Sequence, residues 1–329
     1  MKKNIKIAIV KLSALGDIVH TMVVLEFIKK AYPTIQIDWI VEKSFQDILK
    51  NNPNITNILP IELKSIKQNK KNIFGQIKLI KKYSQNNYDI IIDAQGLIKS
   101  SLVSKILNPK QIVGFSKDSI KESIASIFYT KHISIGYEQN IIKRNIKLIN
   151  KALDLNITDN NILEKKPFLY SSSTLVLPAY EILFVIGASK PNKIYPKERF
   201  LNLAQKLKKN ILVIWGNEKE YQDALWLTEQ SSFCILDTKS SLNELKYKII
   251  NAKLVIGADT GPTHMAWGLN IPSITIFGNT PAYRNSYETS INKTIKSNSI
   301  VNPLKLDKDD FSIKDIDEDD ILKLALELL

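Results

Sequence analysis

The feature that most restricts this chain is a repeated alternation of short apolar runs with amphipathic stretches of helical length. Ile5–Val10 is the first apolar run, and after a short loop a helix pattern continues to about Ala31. Ile37–Val41, Tyr88–Asp93 and Ile112–Phe115 read as further strands, and Lys71–Tyr83, Leu97–Leu107 and Glu138–Leu155 as helices. Buried parallel strands carry near-continuous apolar runs, and helices between them supply the crossovers, so the pattern predicts βαβ units around a parallel sheet. The pattern breaks between Ile157 and Pro178, where Asn, Asp, Ser and two prolines collect, and this stretch is the best linker candidate. It then restarts. Strands are expected at Ile182–Ile186, Ile211–Trp215, Phe233–Leu236, Leu254–Ile256 and Ser273–Phe277. Helices are expected at Lys197–Lys208, Glu218–Gln230, Leu242–Asn251, from Asp259 onward, and at Ile321–Leu329. The 329 residues are about twice one compact α/β domain, so two Rossmann-like domains with a cleft between them are expected.

Composition removes several alternatives. A hydrophobic fraction of 44% and a charged fraction of 24% belong to an ordinary globular chain. The lone Cys234 cannot close an internal disulfide, and His20, His132 and His264 are too scattered to suggest a zinc site. No apolar run is long enough to span a membrane and no signal peptide is evident, so a cytoplasmic protein is expected. The formal charge of +13 is uneven: residues 1–165 carry 26 Lys and Arg against 14 Asp and Glu, the rest 20 against 19. The first half is therefore expected either to carry a solvated basic face or to meet something anionic. Its densest stretch runs from Lys64 and Lys67 to Lys82, with no acid between Leu63 and Tyr88. It contains no Arg and no recognisable nucleic-acid reader motif, so nucleic acid is not the expected partner.

Four loops at the carboxyl ends of expected strands carry the chemistry, because ligands of open α/β sheets bind at that edge. Lys11-Leu12-Ser13-Ala14-Leu15-Gly16-Asp17 holds one glycine, which excludes a G-x-G-x-x-G dinucleotide loop and disfavours an NAD oxidoreductase. Asp17 there is either a cap of the next helix or a carboxylate available as a general base. Gly257-Ala258-Asp259-Thr260-Gly261-Pro262-Thr263-His264 sets amide donors at a helix start, a place that favours phosphate. Gly187 to Pro196 brings Ser189 and Lys193 to the same edge, where a lysine opposite a helix start makes a diphosphate clamp. Trp215-Gly216-Asn217-Glu218-Lys219-Glu220 offers a carboxylate for ribose hydroxyls, or an ordinary first-turn acid.

Together these loops resemble the bacterial lipopolysaccharide heptosyltransferases, glycosyltransferase family 9, which have the GT-B fold and use ADP-heptose. The resemblance is carried by KLSALGDIVHT at 11–21, DWIVEKSF at 38–45, DAQGLIKS at 93–100, SIFYTKHI at 126–133, KIYPKERF at 193–200, WGNEKE at 215–220 and ADTGPTHMAWGLNIPSITIFG at 258–278. DAQGLIKS favours the heptosyltransferase I branch, which adds heptose to Kdo of Kdo-lipid A. The resemblance implies an acceptor-binding domain over 1–170 and an ADP-sugar-binding domain over 178–329, with the last helix packing back on the first. It implies Asp17 as catalytic base, and donor contacts from Ser189, Lys193, Glu220, Asp259, Thr260, Gly261 and His264. Acceptor contacts are implied for Ser13, Lys64, Lys67, Gln95 and Lys121. No cofactor or metal, a monomer, and attachment to the cytoplasmic face of the inner membrane are also implied. The chain departs from the family pattern in having Lys121 for an Arg, Ala188 for a hydroxyl residue, Asn140 for a His, and Ser240 where a larger apolar residue packs on adenine. Alternatives left open are a heptosyltransferase II, another ADP-sugar transferase, and a non-catalytic nucleotide- or RNA-binding protein.

Overall fold

A computed structural model describes residues 5–329, apart from the side chains at 67 and 68, so the side chain of Lys67 lies outside the described residues. The chain divides into two compact units, Met1–Phe168 and Leu169–Leu329. The first contains β1 (Lys6–Val10), α1 (Leu15–Met22), α2 (Val24–Ala31), β2 (Gln36–Glu42), β3 (Asn57–Ile61), α3 (Leu63–Gln68), α4 (Asn72–Ser84), β4 (Ile90–Asp93), α5 (Ile98–Ile106), β5 (Gln111–Phe115), β6 (Lys131–Ile133), α6 (Ile141–Leu153) and α7 (Asp159–Leu163). The second contains β7 (Ile182–Val185), α8 (Lys197–Leu207), β8 (Ile211–Ile214), α9 (Glu218–Gln230), β9 (Cys234–Leu236), α10 (Leu242–Ile250), β10 (Leu254–Ala258), α11 (Gly261–Leu269), β11 (Ser273–Phe277), α12 (Ala282–Asn285), β12 (Asn292–Lys296) and α13 (Glu318–Leu328).

Each unit holds one six-stranded parallel sheet, in the orders β3-β2-β1-β4-β5-β6 and β12-β11-β10-β7-β8-β9. Both are doubly wound: the first strand of each unit is central and the chain reverses direction beside it. The central strands are apolar and buried on both faces, as in Ile7–Val10, Ile182–Val185 and Leu254–Ile256, which follows from helices covering a parallel sheet on both sides. In the second unit Phe184, Phe200 and Tyr195 form the aromatic centre of the core, with ring centroids 4.9 and 5.3 Å apart.

Three strands are absent from the sequence reading: β3, β6 and β12. All three are edge strands. β3 contains Pro60, tolerated at an edge, and β6 has only three residues. β12 is polar, with Asn292, Lys293 and Lys296 in five residues. With few glycines, the chain closes turns and helix ends with other residues, and four of the six non-glycine positions with positive φ are asparagines, Asn51, Asn87, Asn108 and Asn270. The departure at Asn140 has a structural explanation as well. Its side chain accepts from the amides of Ile142 and Lys143 and caps α6.

Within the second unit, α13 is seated against α8, β11 and β12. Ile321 and Ala325 join Ile313 and Ile316 in that unit's core, so the apolar stripe of α13 is already covered there. Its first turn is acidic, and Glu318 is ion-paired to Arg199 and accepts from Asn202 Nδ2 at 3.0 Å. Burial works against the Glu318 charge, but Arg199 and Asn202 outweigh it and pull the carboxyl down to about 2. A depressed carboxylate contributes its stability in full above its unfolded value of 4.5, and that contribution is lost as pH falls toward 2. Glu318→Gln is therefore expected to melt earlier than wild type at pH 7, with the difference vanishing between pH 4.5 and 2. Thermal unfolding at several pH values reads this directly.

Candidate functional site

In the first unit the site begins where β1 ends. Gln95 pins the loop after β1, its Oε1 accepting from the amides of Leu12 at 3.0 Å and Ser13 at 3.1 Å. Gln95 is itself held by Asp93, which closes β4. Asp93 Oδ1 accepts from the amides of Gln95 and Gly96, and Oδ2 from the hydroxyls of Ser100 and Tyr129, each at 2.8 Å. Burial pushes the Asp93 carboxyl up, against those four donors. Two glycines make the arrangement possible. Gly96 has φ +68, the left-handed region, and a Cβ on Gly114 would lie 2.3 Å from the Tyr129 ring. Lys11 extends the scaffold, donating from Nζ to the Ala94 carbonyl at 3.0 Å.

That scaffold presents Ser13 and Asp17. Asp17 sits in the first turn of α1, and its Oδ2 accepts from the Ala14 amide at 3.2 Å. The helix start favours the negative charge. Oδ1 carries no hydrogen bond among the described residues, and the residue is half-buried. Asp17 thus caps its helix and still offers one carboxylate oxygen. Two other first-unit candidates are exposed lysines. Exposed Lys64 holds its ammonium 4.7 Å from the centre of the Phe45 ring, and exposed Lys121 lies 5.2 Å from that of Tyr137.

In the second unit the site is built on a buried carboxylate. Asp259, just past β10, is 8% exposed, and four side chains converge on it. Lys193 Nζ donates to Oδ2 at 2.7 Å, Thr280 Oγ1 to Oδ2 at 2.8 Å and Asn285 Nδ2 to Oδ2 at 3.3 Å. His264 Nε2 lies 2.9 Å from Oδ1. Burial alone would raise the Asp259 carboxyl, but His264 and the Lys193 charge outweigh it and hold it well below the usual carboxylate range. Asp259 therefore carries a fixed negative charge that orients one lysine and one imidazole. Its hydrogen-bonding capacity is largely spent inside the protein rather than held ready for a sugar.

Thr260 and Gly261 follow at the start of α11. Thr260 is the N-cap and no side chain caps this end, with Pro262 in the first turn. A Cβ on Gly257, in β10, would lie 2.9 Å from Thr263 Oγ1, so α11 sits close on β10. The uncapped start leaves backbone donors and a positive helix end beside Lys193, a combination suited to phosphate. Ser189 is exposed on the loop after β7.

Glu220 turns back over its own helix start, accepting from the Gly216 amide and from Asn217 Nδ2, both at 2.7 Å. Its carboxylate lies against the backbone of Gly187, where a Cβ would sit 2.1 Å from Glu220 Cδ. Gly187→Ala is thus expected to displace Glu220 and, under the donor role that the resemblance implies for Glu220, to raise the donor KM by roughly an order of magnitude, with a smaller change in kcat. Steady-state kinetics at saturating acceptor check this. Near the same edge, Ser240 Oγ accepts from Lys248 Nζ at 2.5 Å, and Lys248 is paired to buried Asp237. The hydroxyl at position 240 is thus part of an internal ion-pair cluster.

Sequence reasoning missed Thr280, Asn285 and Asp93. Thr280 and Asn285 reach Asp259 from beyond β11, at a distance in sequence that no motif spans. Asp93 did leave a signal, an acid ending an otherwise apolar strand. Among the described residues no group of three or more His, Cys, Asp or Glu side chains is placed to hold a metal ion.

The sequence profile described as glycosyltransferase family 9 (heptosyltransferase) matches residues 76–309. The chain is also 40% identical, over 98% of its own length and 98% of the other's, to "Lipopolysaccharide heptosyltransferase 1" of Campylobacter coli. This chain belongs to glycosyltransferase family 9. The Escherichia coli K12 lipopolysaccharide heptosyltransferase 1 is 29% identical, over 84% of this chain and 88% of the relative. Among solved structures, E. coli heptosyltransferase WaaC with ADP superposes with TM-score 0.82 at 22% identity, covering 99% of this chain and 100% of WaaC. E. coli ADP-heptose lps heptosyltransferase II superposes with TM-score 0.74 at 18% identity, covering 98% of both chains. The fold is GT-B, and the chain is a heptosyltransferase of family 9.

Proposed function

We propose that this heptosyltransferase moves L-glycero-D-manno-heptose from ADP-heptose to the Kdo of Kdo-lipid A, in synthesis of the lipopolysaccharide inner core. The free Oδ1 of Asp17 takes the proton from a Kdo hydroxyl as that oxygen attacks the anomeric carbon. The bond from that carbon to the diphosphate breaks, ADP leaves, and the configuration inverts. Negative charge grows on the departing diphosphate, where the start of α11 and the ammonium of Lys193 would meet it; such preorganised donors supply much of the acceleration in comparable reactions.

The observation that carries this reading is the convergence of Lys193 and His264 on buried Asp259, beside the uncapped start of α11. Family membership names the sugar. Ser189 and Glu220 are assigned to the diphosphate and ribose ends of the donor, with Glu220 exchanging its present backbone partner for a hydroxyl. Lys64, Lys67 and Lys121, with Ser13 and Gln95, are assigned to the anionic acceptor. Gln95 acts chiefly by positioning, since its carbonyl oxygen holds the loop and only its amide nitrogen is left for substrate. Among the described residues no helix is long and apolar enough to cross a membrane, and the enzyme is assigned to the cytoplasmic membrane face, where a lipid-anchored acceptor is presented.

The test is acceptor choice. Purified enzyme with ADP-heptose is expected to modify Kdo-lipid A and to leave an acceptor that already bears heptose unchanged, as read by mass spectrometry. The reverse preference would assign it to the second transfer.

A further inference from the structure

One helical layer of the first unit is both apolar and basic on its outer side. Right-handed crossovers in the order β3-β2-β1-β4-β5-β6 put α1 and α2 on one face of the sheet, and α3, α4, α5 and the 3-10 turn Ser123–Phe128 on the other. The packing agrees, with α1 and α2 against α6, and α5 between α4 and the Ser123–Phe128 turn. Of the six large apolar side chains exposed among the described residues of this unit, Leu163 lies elsewhere, and Ile73, Phe74, Leu102, Ile124 and Ile127 all lie on the second layer. Phe74 is 76% exposed and Ile127 72%.

Lysines surround them. Phe74 shares a stripe of α4 with exposed Lys78, Lys81 and Lys82, at spacings of four, seven and eight residues. Leu102 lies between exposed Lys99 and Lys105 on α5, at i−3 and i+3. Acids on this layer are few: Asp118 and Glu122 flank Lys121, and Glu122 already accepts from the Ile98 amide at 2.7 Å. Single exposed apolar side chains are ordinary on a soluble surface, but five on one layer among lysines are not.

We infer that this layer docks on the surface of an anionic phospholipid bilayer, Phe74, Ile127 and their neighbours entering the headgroup boundary while the lysines meet lipid phosphates. Charge complementarity selects this occupant: a bilayer supplies both an anionic plane for lysines and an apolar boundary for aliphatic and aromatic tips. A nucleic acid would leave the isoleucines unserved. The inference rests on the reading of a lipid-anchored acceptor, since Lys64 and Lys121 stand on this same layer.

The experiment is flotation of the full chain with vesicles of phosphatidylglycerol and phosphatidylethanolamine, or of phosphatidylcholine alone. Wild type is expected to float with the anionic vesicles, to be released by high salt, and to ignore the neutral ones. Phe74→Ser/Ile127→Ser and Lys78→Gln/Lys81→Gln/Lys82→Gln are each expected to weaken flotation by about tenfold or more. Because these side chains are exposed, kcat/KM on a detergent-free, deacylated acceptor is expected to stay within about twofold, while transfer to vesicle-embedded acceptor falls with binding. Failure of wild type to float, or flotation of the Phe74/Ile127 variant like wild type, overturns the inference. So does a concentration-dependent dimer abolished by the same variant, which would make the layer a self-interface. Flotation without heptose transfer to any acceptor keeps the surface and overturns the assigned reaction; transfer to soluble acceptor without flotation does the opposite.

Discussion

Asp17→Asn is expected to lower kcat for heptose transfer by about 10²–10⁴-fold, the usual worth of a positioned general base. The Kd for ADP-heptose should meanwhile hold within about twofold, because the donor contacts assigned above lie on other residues. The substitution separates the two roles of this side chain. The amide oxygen of Asn still accepts from the Ala14 N–H, now 3.2 Å from Asp17 Oδ2, so the start of α1 keeps its partner. What is lost is the proton acceptor on the other oxygen. Calorimetric titration with ADP-heptose and steady-state transfer assays give both readouts. A kcat within tenfold of wild type would leave Asp17 as a helix cap and nothing more.

The larger structural effect is expected at Asp259. Asp259→Ala strands the Lys193 ammonium, whose side chain is 16% exposed, and removes the acceptor of His264, Thr280 and Asn285. Breaking a buried pair by deleting one partner costs about 3–5 kcal/mol, because the remaining charge stays desolvated. Denaturant unfolding should show that loss at pH 7, and donor binding should fall below detection as Lys193 and His264 lose their orientation. The sign with pH follows from the depressed carboxyl. Its contribution is complete above the unfolded value of 3.8 and shrinks as pH falls below it. Asp259→Asn should therefore be less stable than wild type across neutral pH, with a gap that stays constant to about pH 4 and narrows only in stronger acid. Equal stability of wild type and Asp259→Ala would mean that the four donors gain nothing from the carboxylate.

The central strands were legible because their environment is written into their composition. Ile7–Val10, Ile91–Ile92 and Leu254–Ala258 are covered on both faces, so they must be apolar. Three of the four edges were not legible, β9 being the exception. β3 is interrupted by Pro60, β6 is short and β12 polar, and they become strands only by pairing with β2, β5 and β11. The seat of α13 was hidden for a related reason. Its apolar stripe shows that it packs, and only the complementary surface of α8, with Arg199 and Lys206 facing its acids, says where.

Sequence by itself determined the doubly wound class and the four turns at the ends of its strands, because strand ends, glycines and helix starts are local features with fixed consequences. Tertiary structure alone decided what the residues of those turns do before substrate arrives. It joined Lys193, His264, Thr280 and Asn285 on one buried carboxylate, set Gln95 against the loop after β1, and turned Glu220 back onto its own helix start. The reason is physical: a buried charge must be met by whatever donors the fold brings to it, and those donors come from elements separated by many residues, whose meeting no local pattern encodes.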